Sequence, residues 1–156
     1  MATPEEGKKA PALSLNDQDG TRVTLKDLRG KKVAIYFYPK DQTPGCTTQA
    51  CNLRDNYAAV RKADIVVLGV SPDDEASHTK FIAKQDLPFT LLADPAKKAL
   101  EAYGVWREKN MYGRKYMGVV RTTFLIDESG TIVKIIAKPK VADHTREILD
   151  GFGLSA

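Results

Sequence analysis

Two cysteines, Cys46 and Cys51, stand five positions apart and are the only thiols in the 156-residue chain. Thr43 is a candidate helix N-cap and Pro44 suits the first helical position, so a helix is predicted to begin there. Cys46 would lie in its first turn, where unpaired backbone N–H groups and the positive end of the helix dipole favour a thiolate. Because the thiolate is the reactive form of cysteine, this position predicts a nucleophile.

The alternative for Cys46 is an inert role, since a free cysteine most often serves as a small buried apolar residue. A helix start preceded by Thr-Pro-Gly exposes backbone rather than burying side chains, so we expect Cys46 to be accessible. The sequence therefore favours the reactive role over the inert one.

Cys51 is too far along the same helix to be bonded to Cys46 while that helix is intact. Five helical residues rise about 7.5 Å and rotate by about 140°, which places the two Cα atoms roughly 8 to 9 Å apart. A disulfide needs a Cα separation below about 7 Å. We therefore predict that the two sulfurs are separate when reduced and that the first turns of the helix unwind on oxidation. A purely structural bridge over so small a loop would constrain little of the unfolded chain.

The chemistry that suits this pair is attack of a thiolate on the O–O bond of a peroxide. The sulfur becomes a sulfenic acid, which condenses with a second thiol to a disulfide. The leaving oxygen needs fixed hydrogen-bond donors, and an arginine near the sulfur is the best single group to stabilise the thiolate and orient the peroxide. The residues alone do not decide between Arg54 and Arg121 for that role.

Two other functions are compatible with a reactive cysteine. One is a thiol–disulfide oxidoreductase acting on other proteins, although the C-x-x-C spacing of thioredoxins is absent. The other is a non-enzymatic holdase or binding module with Cys46 as a sensor. A metal site is disfavoured, because two cysteines and the distant His78 and His144 lack the spacing of zinc modules. We expect both histidines at the surface.

A strand–helix–strand unit is predicted to position the cysteines. The apolar runs 33–38 and 65–70 indicate strands that are covered on both faces. Between them, apolar residues recur at helical spacing at Ala50, Leu53, Tyr57 and Val60. Such a unit is right-handed and has parallel strands.

The flanking segments complete an α/β domain. A short β-hairpin is predicted over 13–25, helices over 74–84, 95–103 and 141–152, and a short apolar run at 89–92. The runs 119–126 and 131–136 flank a turn too short for a crossover and predict an antiparallel hairpin. These parts predict a single thioredoxin-like domain over 1–156, with a mixed central sheet flanked by helices and an N-terminal β-hairpin.

The charge distribution argues against nucleic-acid binding. The chain has 24 basic and 20 acidic residues, a net charge of +4, and the two signs are interspersed. The densest basic stretch, 107–115, is predicted to be a solvated loop, with a phosphate-binding patch as the less favoured alternative. No apolar run has the length of a signal peptide or of the roughly 20 residues that span a bilayer, so we expect a cytoplasmic protein that does not bind membranes.

Several motifs in chain order resemble one known family. They are Tyr38–Lys40, Thr43–Thr47, Leu91–Asp94, Gly104–Trp106, and Arg121 with Thr123–Asp127. Together they resemble the peroxiredoxins, specifically the bacterioferritin comigratory protein or peroxiredoxin Q subfamily, over almost the whole chain.

The resemblance implies roles for five residues. Cys46 matches the peroxidatic cysteine and Cys51 the resolving cysteine, so an intramolecular Cys46–Cys51 disulfide is implied. Thr43 is implied to donate to the peroxide oxygen, Pro39 to shield the site from water, and Arg121 to stabilise the thiolate and the transition state. Many family members carry Glu where this chain has Gln49, a difference that bears on fine tuning and not on the reaction.

The resemblance also implies the reaction and its partners. The expected enzyme is an atypical 2-Cys, thioredoxin-dependent peroxiredoxin that reduces hydrogen peroxide and organic hydroperoxides to water and alcohols in antioxidant defence. It is expected to use no cofactor and no metal. Thioredoxin or a glutaredoxin is implied as the reductant, and a monomer as the oligomeric state.

Overall fold

The computed structural model describes residues 4–154, so the predicted domain limits at residues 1 and 156 lie outside the described part. The strands are β1 (Ser14–Asp17), β2 (Arg22–Thr24), β3 (Lys32–Phe37), β4 (Ile65–Ser71), β5 (Thr90–Ala93), β6 (Trp106–Met111), β7 (Arg114–Val119), β8 (Thr122–Ile126) and β9 (Ile132–Ile136). The α-helices are α1 (Pro44–Asp55), α2 (Tyr57–Lys62), α3 (Glu75–Gln85), α4 (Lys98–Ala102) and α5 (His144–Gly151). Single 3-10 turns lie at Lys26–Leu28 and Val141–Asp143.

Seven strands form one mixed sheet in the order β2-β1-β5-β4-β3-β8-β9. β3 runs parallel to β4 and antiparallel to β8, and β4 runs parallel to β5. The β1–β2 hairpin lies at one edge and the β8–β9 hairpin at the other. The predicted parallel unit around the cysteines and both predicted hairpins of this sheet are confirmed.

The central strand β3 is covered on both faces, as its continuous apolar run predicts. Val33, Ile35 and Phe37 pack into one apolar cluster, which includes residues of β1, α4 and β8. Alternate residues Ala34 and Tyr36 pack into a second cluster that lies under α1, α2, α3 and α5. Since successive side chains of a strand point to opposite faces, a strand with apolar residues at every position fits only such a two-sided environment.

Hydrogen bonds of Asn52 connect the second half of α1 to the start of α5. Its Oδ1 accepts hydrogen bonds from the backbone N and the Oγ1 of Thr145, both at 2.8 Å, and its Nδ2 donates to the Ala142 carbonyl at 2.9 Å. The N-cap residue of α5, Asp143, makes no side-chain capping bond. Asn52 therefore supplies from another helix the acceptor that the first turn of α5 needs.

Several predicted segments differ from the structure. The helix predicted through Ala50, Leu53, Tyr57 and Val60 is broken at Asn56 into α1 and α2, and the helix predicted over 141–152 begins with a 3-10 turn. Residues 107–115 are exposed as expected but belong to the two-stranded sheet β6–β7 and not to a loop, because Tyr112 and Gly113 both have positive φ and form a tight hairpin turn. The helix predicted over 95–103 is shortened to α4, since Lys97 is left-handed with a φ of 62°. No helix in residues 4–154 is long and apolar enough to cross a membrane.

Candidate active site

Cys46 lies in the first turn of α1, where the sequence places it. Thr43 precedes the helix in an extended conformation and Pro44 occupies its first position. The side chain of Cys46 is only 2% exposed and belongs to the apolar cluster under α1, so the expectation of an accessible side chain is wrong. The first turn packs against the sheet, and this long-range contact is not visible in the local motif.

Contact with Arg121 distinguishes the buried Cys46 from an inert core cysteine. Arg121 lies in the short link between β7 and β8, and its Nη2 is 3.3 Å from the Cys46 sulfur. A Cβ atom at Gly45 would come within 3.3 Å of the same Nη2, so the glycine leaves room for the guanidinium. A cation in contact with a buried sulfur stabilises negative charge on it, together with the helix start.

Arg54, the other candidate from the sequence, is engaged elsewhere. Its Nε lies 2.9 Å from the Asp55 carboxylate, and its Nη1 donates to the backbone carbonyl of Gln85 at 2.7 Å. Of the two arginines, the structure therefore brings Arg121 to the Cys46 sulfur.

Gln49 is a neutral partner of Arg121 inside the protein. It is fully buried one helical turn after Cys46, and its Oε1 accepts from Arg121 Nη1 at 2.6 Å. Within residues 4–154, the Gln49 Nε2 and the Tyr36 hydroxyl are buried without a hydrogen-bond partner. Burial, and then negative charge at Cys46, raises the pKa of Tyr36 well above its usual 10.0, so this hydroxyl keeps its hydrogen.

Thr43 and Pro39 belong to the loop that joins β3 to α1. Pro39 is half-buried. The Thr43 hydroxyl donates to the Lys40 carbonyl at 2.9 Å and makes no capping bond to α1, although the helix begins after it as predicted. In this state the hydroxyl hydrogen is engaged, so donation to a substrate requires the hydroxyl to turn away from Lys40.

Cys51 is a free thiol that contacts α3. Both cysteines are free, and both lie within α1. The half-buried Cys51 thiol donates to Gln85 Oε1 of α3 at 3.4 Å. With both residues helical, the Cα separation is the roughly 8 to 9 Å expected from helix geometry, which excludes a disulfide in this conformation.

Comparison with known proteins assigns this site to a family. The model of the AhpC/TSA family matches residues 7–135. The chain belongs to the AhpC/TSA family. Peroxiredoxin Bcp of Bacillus subtilis is 49% identical over 147 residues, which cover 94% of each chain. Peroxiredoxin Bcp of Escherichia coli is 45% identical over 144 residues, which cover 92% of each chain.

Solved structures of peroxiredoxins share the fold. The bacterioferritin comigratory protein of Xanthomonas campestris, studied for its alkyl peroxide reduction activity, superposes with a TM-score of 0.85 at 40% identity over 90% of each chain. A PrxQ mutant of Xylella fastidiosa superposes with a TM-score of 0.90 at 32% identity over 98% of each chain. The predicted thioredoxin-like fold and the predicted subfamily are confirmed. The chain is a peroxiredoxin, that is, an antioxidant thiol peroxidase.

Both histidines of this peroxiredoxin are fully buried, so the prediction of surface positions is wrong. His78 on α3 contacts the Asp41 carboxylate at 2.7 Å and the Leu92 carbonyl at 2.9 Å. His144 contacts the Thr123 hydroxyl at 2.9 Å and Glu147 at 3.0 Å. Most of these partners come from distant parts of the chain, and the sequence around each histidine does not reveal them.

Asp41, Asp73 and His78 bring three possible metal ligands, two carboxylates and one imidazole, within 4.8 Å of one another. Their atoms already contact hydrogen-bonding partners: Asp73 Oδ2 accepts from the Asp41 backbone N at 2.8 Å and from Ser71 Oγ at 2.6 Å. Hydrogen bonds among protein groups account for this cluster of side chains, which is a polar network beside the loop that joins β3 to α1.

We expect the unfolding free energy of this peroxiredoxin to decrease as the pH drops below about 6.5, because of His144. Burial lowers the pKa of His144 below its usual 6.5, and the Arg121 charge adds to this, although Glu147 opposes it. The unfolded chain thus takes up the proton at a higher pH than the folded chain, and acid favours unfolding. Above pH 6.5 both states are neutral at this residue, and its contribution is constant.

Urea unfolding between about pH 8 and about pH 5 measures this effect. His144→Gln removes the titrating group, so the difference in unfolding free energy between wild type and variant should narrow as the pH falls. A difference that stays constant over this range would contradict the prediction.

Proposed function

We propose that Cys46 is the peroxidatic cysteine and that Arg121 activates it, and the 3.3 Å contact between Arg121 Nη2 and the Cys46 sulfur is the observation that carries this proposal. The Cys46 thiolate attacks one peroxide oxygen, so that an S–O bond forms and the O–O bond breaks. The second oxygen leaves as hydroxide or alkoxide and takes up a proton to give water or an alcohol. Cys46 becomes a sulfenic acid.

Arg121 stabilises the thiolate before the attack and the charge that moves to the departing oxygen during it. Thr43 donates to the bound peroxide after its hydroxyl leaves the Lys40 carbonyl, and Pro39 limits the access of water. Gln49 holds the second guanidinium nitrogen without neutralising the charge, so the full positive charge of Arg121 acts on the site.

Cys51 is the resolving cysteine in this proposal. Its thiol condenses with the Cys46 sulfenic acid, so that an S–S bond forms and water leaves. For the two sulfurs to meet, the first turns of α1 must unwind and Cys51 must leave Gln85. The reductant is a dithiol protein, thioredoxin or a glutaredoxin, which attacks the disulfide and leaves both cysteines as thiols. A groove of about 380 Å³, lined by Thr47, Thr48 and Ala142 among others, lies beside the reduced Cys51, and unwinding of residues 44–51 would open the disulfide to such a partner.

We further propose that the chain is one peroxiredoxin domain over 1–156 and acts as a cytoplasmic monomer without cofactor or metal. Because the resolving thiol lies in the same helix as Cys46, no second chain is needed to close the disulfide.

Mass spectrometry after addition of one equivalent of hydrogen peroxide tests the proposed fate of Cys46. The wild-type chain should become lighter by two hydrogen atoms, because one intramolecular disulfide forms. Cys51→Ser should instead gain one oxygen atom, or dimerise through Cys46, because the sulfenic acid has no internal partner. A Cys51→Ser chain that still loses two hydrogens would contradict the assignment of Cys51, and a wild-type chain that does not react would contradict that of Cys46.

A further inference from the structure

The loop at 38–43 carries two proposed active-site residues, Pro39 and Thr43, and leads directly into α1. Directly before Thr43, Gln42 is a non-glycine residue in the left-handed region, with a φ of 64°. Such a conformation persists only where the surrounding contacts hold it. The loop therefore depends on its neighbours for its shape.

Asp41 provides most of these contacts, and its side chain is almost completely buried. Its Oδ1 accepts from the Tyr38 hydroxyl at 2.5 Å, and its Oδ2 accepts from Ser77 Oγ at 2.8 Å and contacts His78 Nδ1 at 2.7 Å. Its backbone N donates to Asp73. One carboxylate thus links the start of the loop, at Tyr38, to the first turn of α3.

His78 is held by two buried hydrogen bonds, one on each ring nitrogen. Nε2 donates to the Leu92 carbonyl at 2.9 Å, because a carbonyl only accepts. Nδ1 lies 2.7 Å from Asp41 Oδ2 and hydrogen-bonds to that carboxyl group. Removal of one partner would leave a buried polar group of the other without its hydrogen bond, which is costly.

We infer that His78 and Asp41 are positioning residues for peroxide reduction: their buried hydrogen bond fixes the loop at 38–43 against α3 and so sets the place of Thr43. The inference rests on the proposed function of that loop and of Cys46. His78 touches neither the sulfur nor the substrate site residues, and it acts through Asp41. A displacement of about 1 Å in such a loop is enough to cost about a hundredfold in rate.

Two substitutions of His78 separate positioning from stability. The amide nitrogen of His78→Asn reaches about as far as Nδ1 and still donates to Asp41, whereas that of His78→Gln reaches about as far as Nε2 and donates to Leu92. Each variant loses one of the two hydrogen bonds of the imidazole. Only His78→Gln loses the hydrogen bond to Asp41 that holds the loop at 38–43.

The experiment measures three quantities in a Cys51→Ser background, in which Cys46 is the only thiol. They are the rate constant for Cys46 oxidation by hydrogen peroxide, the rate of Cys46 alkylation by iodoacetamide, and the free energy of unfolding. Alkylation needs the thiolate but not the peroxide-binding loop. A merely destabilised protein would expose Cys46 and alkylate faster.

We expect the rate constant for oxidation by hydrogen peroxide to be at least about tenfold lower in His78→Gln than in the Cys51→Ser parent, while the rate of alkylation stays close to that of the parent. His78→Asn should recover most of the peroxide rate. The unfolding free energies of the two His78 variants should be comparable. Equal peroxide rates in His78→Gln and its parent would overturn the inference, as would equal losses in both His78 variants. A parent that does not react with peroxide would instead refute the proposed function of Cys46.

Tyr38→Phe provides a second variant if His78→Gln does not fold. It removes one donor to Asp41 without creating a cavity. A lower peroxide rate with unchanged alkylation supports the positioning role, and an unchanged peroxide rate rejects it.

Discussion

Replacement of Arg121 by alanine should slow the oxidation of Cys46 by hydrogen peroxide about a hundredfold to a thousandfold, the usual cost of removing one preorganised donor to a developing negative charge. The guanidinium contacts the Cys46 sulfur at 3.3 Å, and it is the charged group that the structure places on that sulfur. Its loss removes stabilisation both from the thiolate and from the departing oxygen. Rapid-mixing measurement of Cys46 oxidation gives the rate without interference from the reductant.

Two control variants make the Arg121→Ala result specific. Arg54→Ala removes an arginine of the same region whose contacts are with Asp55 and Gln85, so its peroxide rate should stay close to that of wild type. Arg121→Lys retains a positive charge but lacks the two guanidinium nitrogens that contact Gln49 and Cys46 at the same time. We therefore expect its rate of oxidation by peroxide to lie between those of wild type and Arg121→Ala. Equal rates for Arg121→Ala and Arg54→Ala would refute the role assigned to Arg121.

Cys46→Ser should abolish turnover of hydroperoxide with thioredoxin as reductant. Serine has nearly the same size, so the buried site should stay packed, but its hydroxyl is not ionised at neutral pH and is a poor nucleophile towards an O–O bond. Peroxide consumption in a coupled assay measures the loss.

The matched control for Cys46→Ser is Cys51→Ser. It should lose thioredoxin-dependent turnover but still consume one equivalent of peroxide per chain, because the first step does not involve Cys51. Stoichiometric peroxide consumption by Cys46→Ser would show that another group starts the reaction.

The sequence predicted the elements that are defined locally. β3 and β4 are continuous apolar runs, and α1 begins at a Pro that follows an N-cap residue, so their types and approximate limits follow from residues close in the chain. The β6–β7 hairpin was missed because its strands carry charged and polar residues and pair only with each other, outside the main sheet. α4 is shorter than predicted because Lys97 adopts a left-handed conformation, which a lysine in the sequence does not indicate.

The candidate site could be predicted only where it is local. The helix-start position of Cys46 and its spacing from Cys51 follow from the sequence itself. The contact of Cys46 with Arg121 spans 75 residues and that of His78 with Asp41 spans 37, so family resemblance was needed for the first and the second was missed. The burial of Cys46 was also missed, because it results from the packing of α1 against the sheet.

Asn52 sets a limit to the rearrangement of α1, because it is the residue that directly follows Cys51 and is held by Thr145 and Ala142. Residues 44–51 contain both sulfurs, whereas the chain from Asn52 onward is tied to α5. If residues 44–51 unwind as proposed, Asn52 is expected to keep the end of α1, including the buried Leu53, in place beside α5. The unwinding would then uncover the apolar side chains that Cys46 and Ala50 contact, and not the whole cluster under α1.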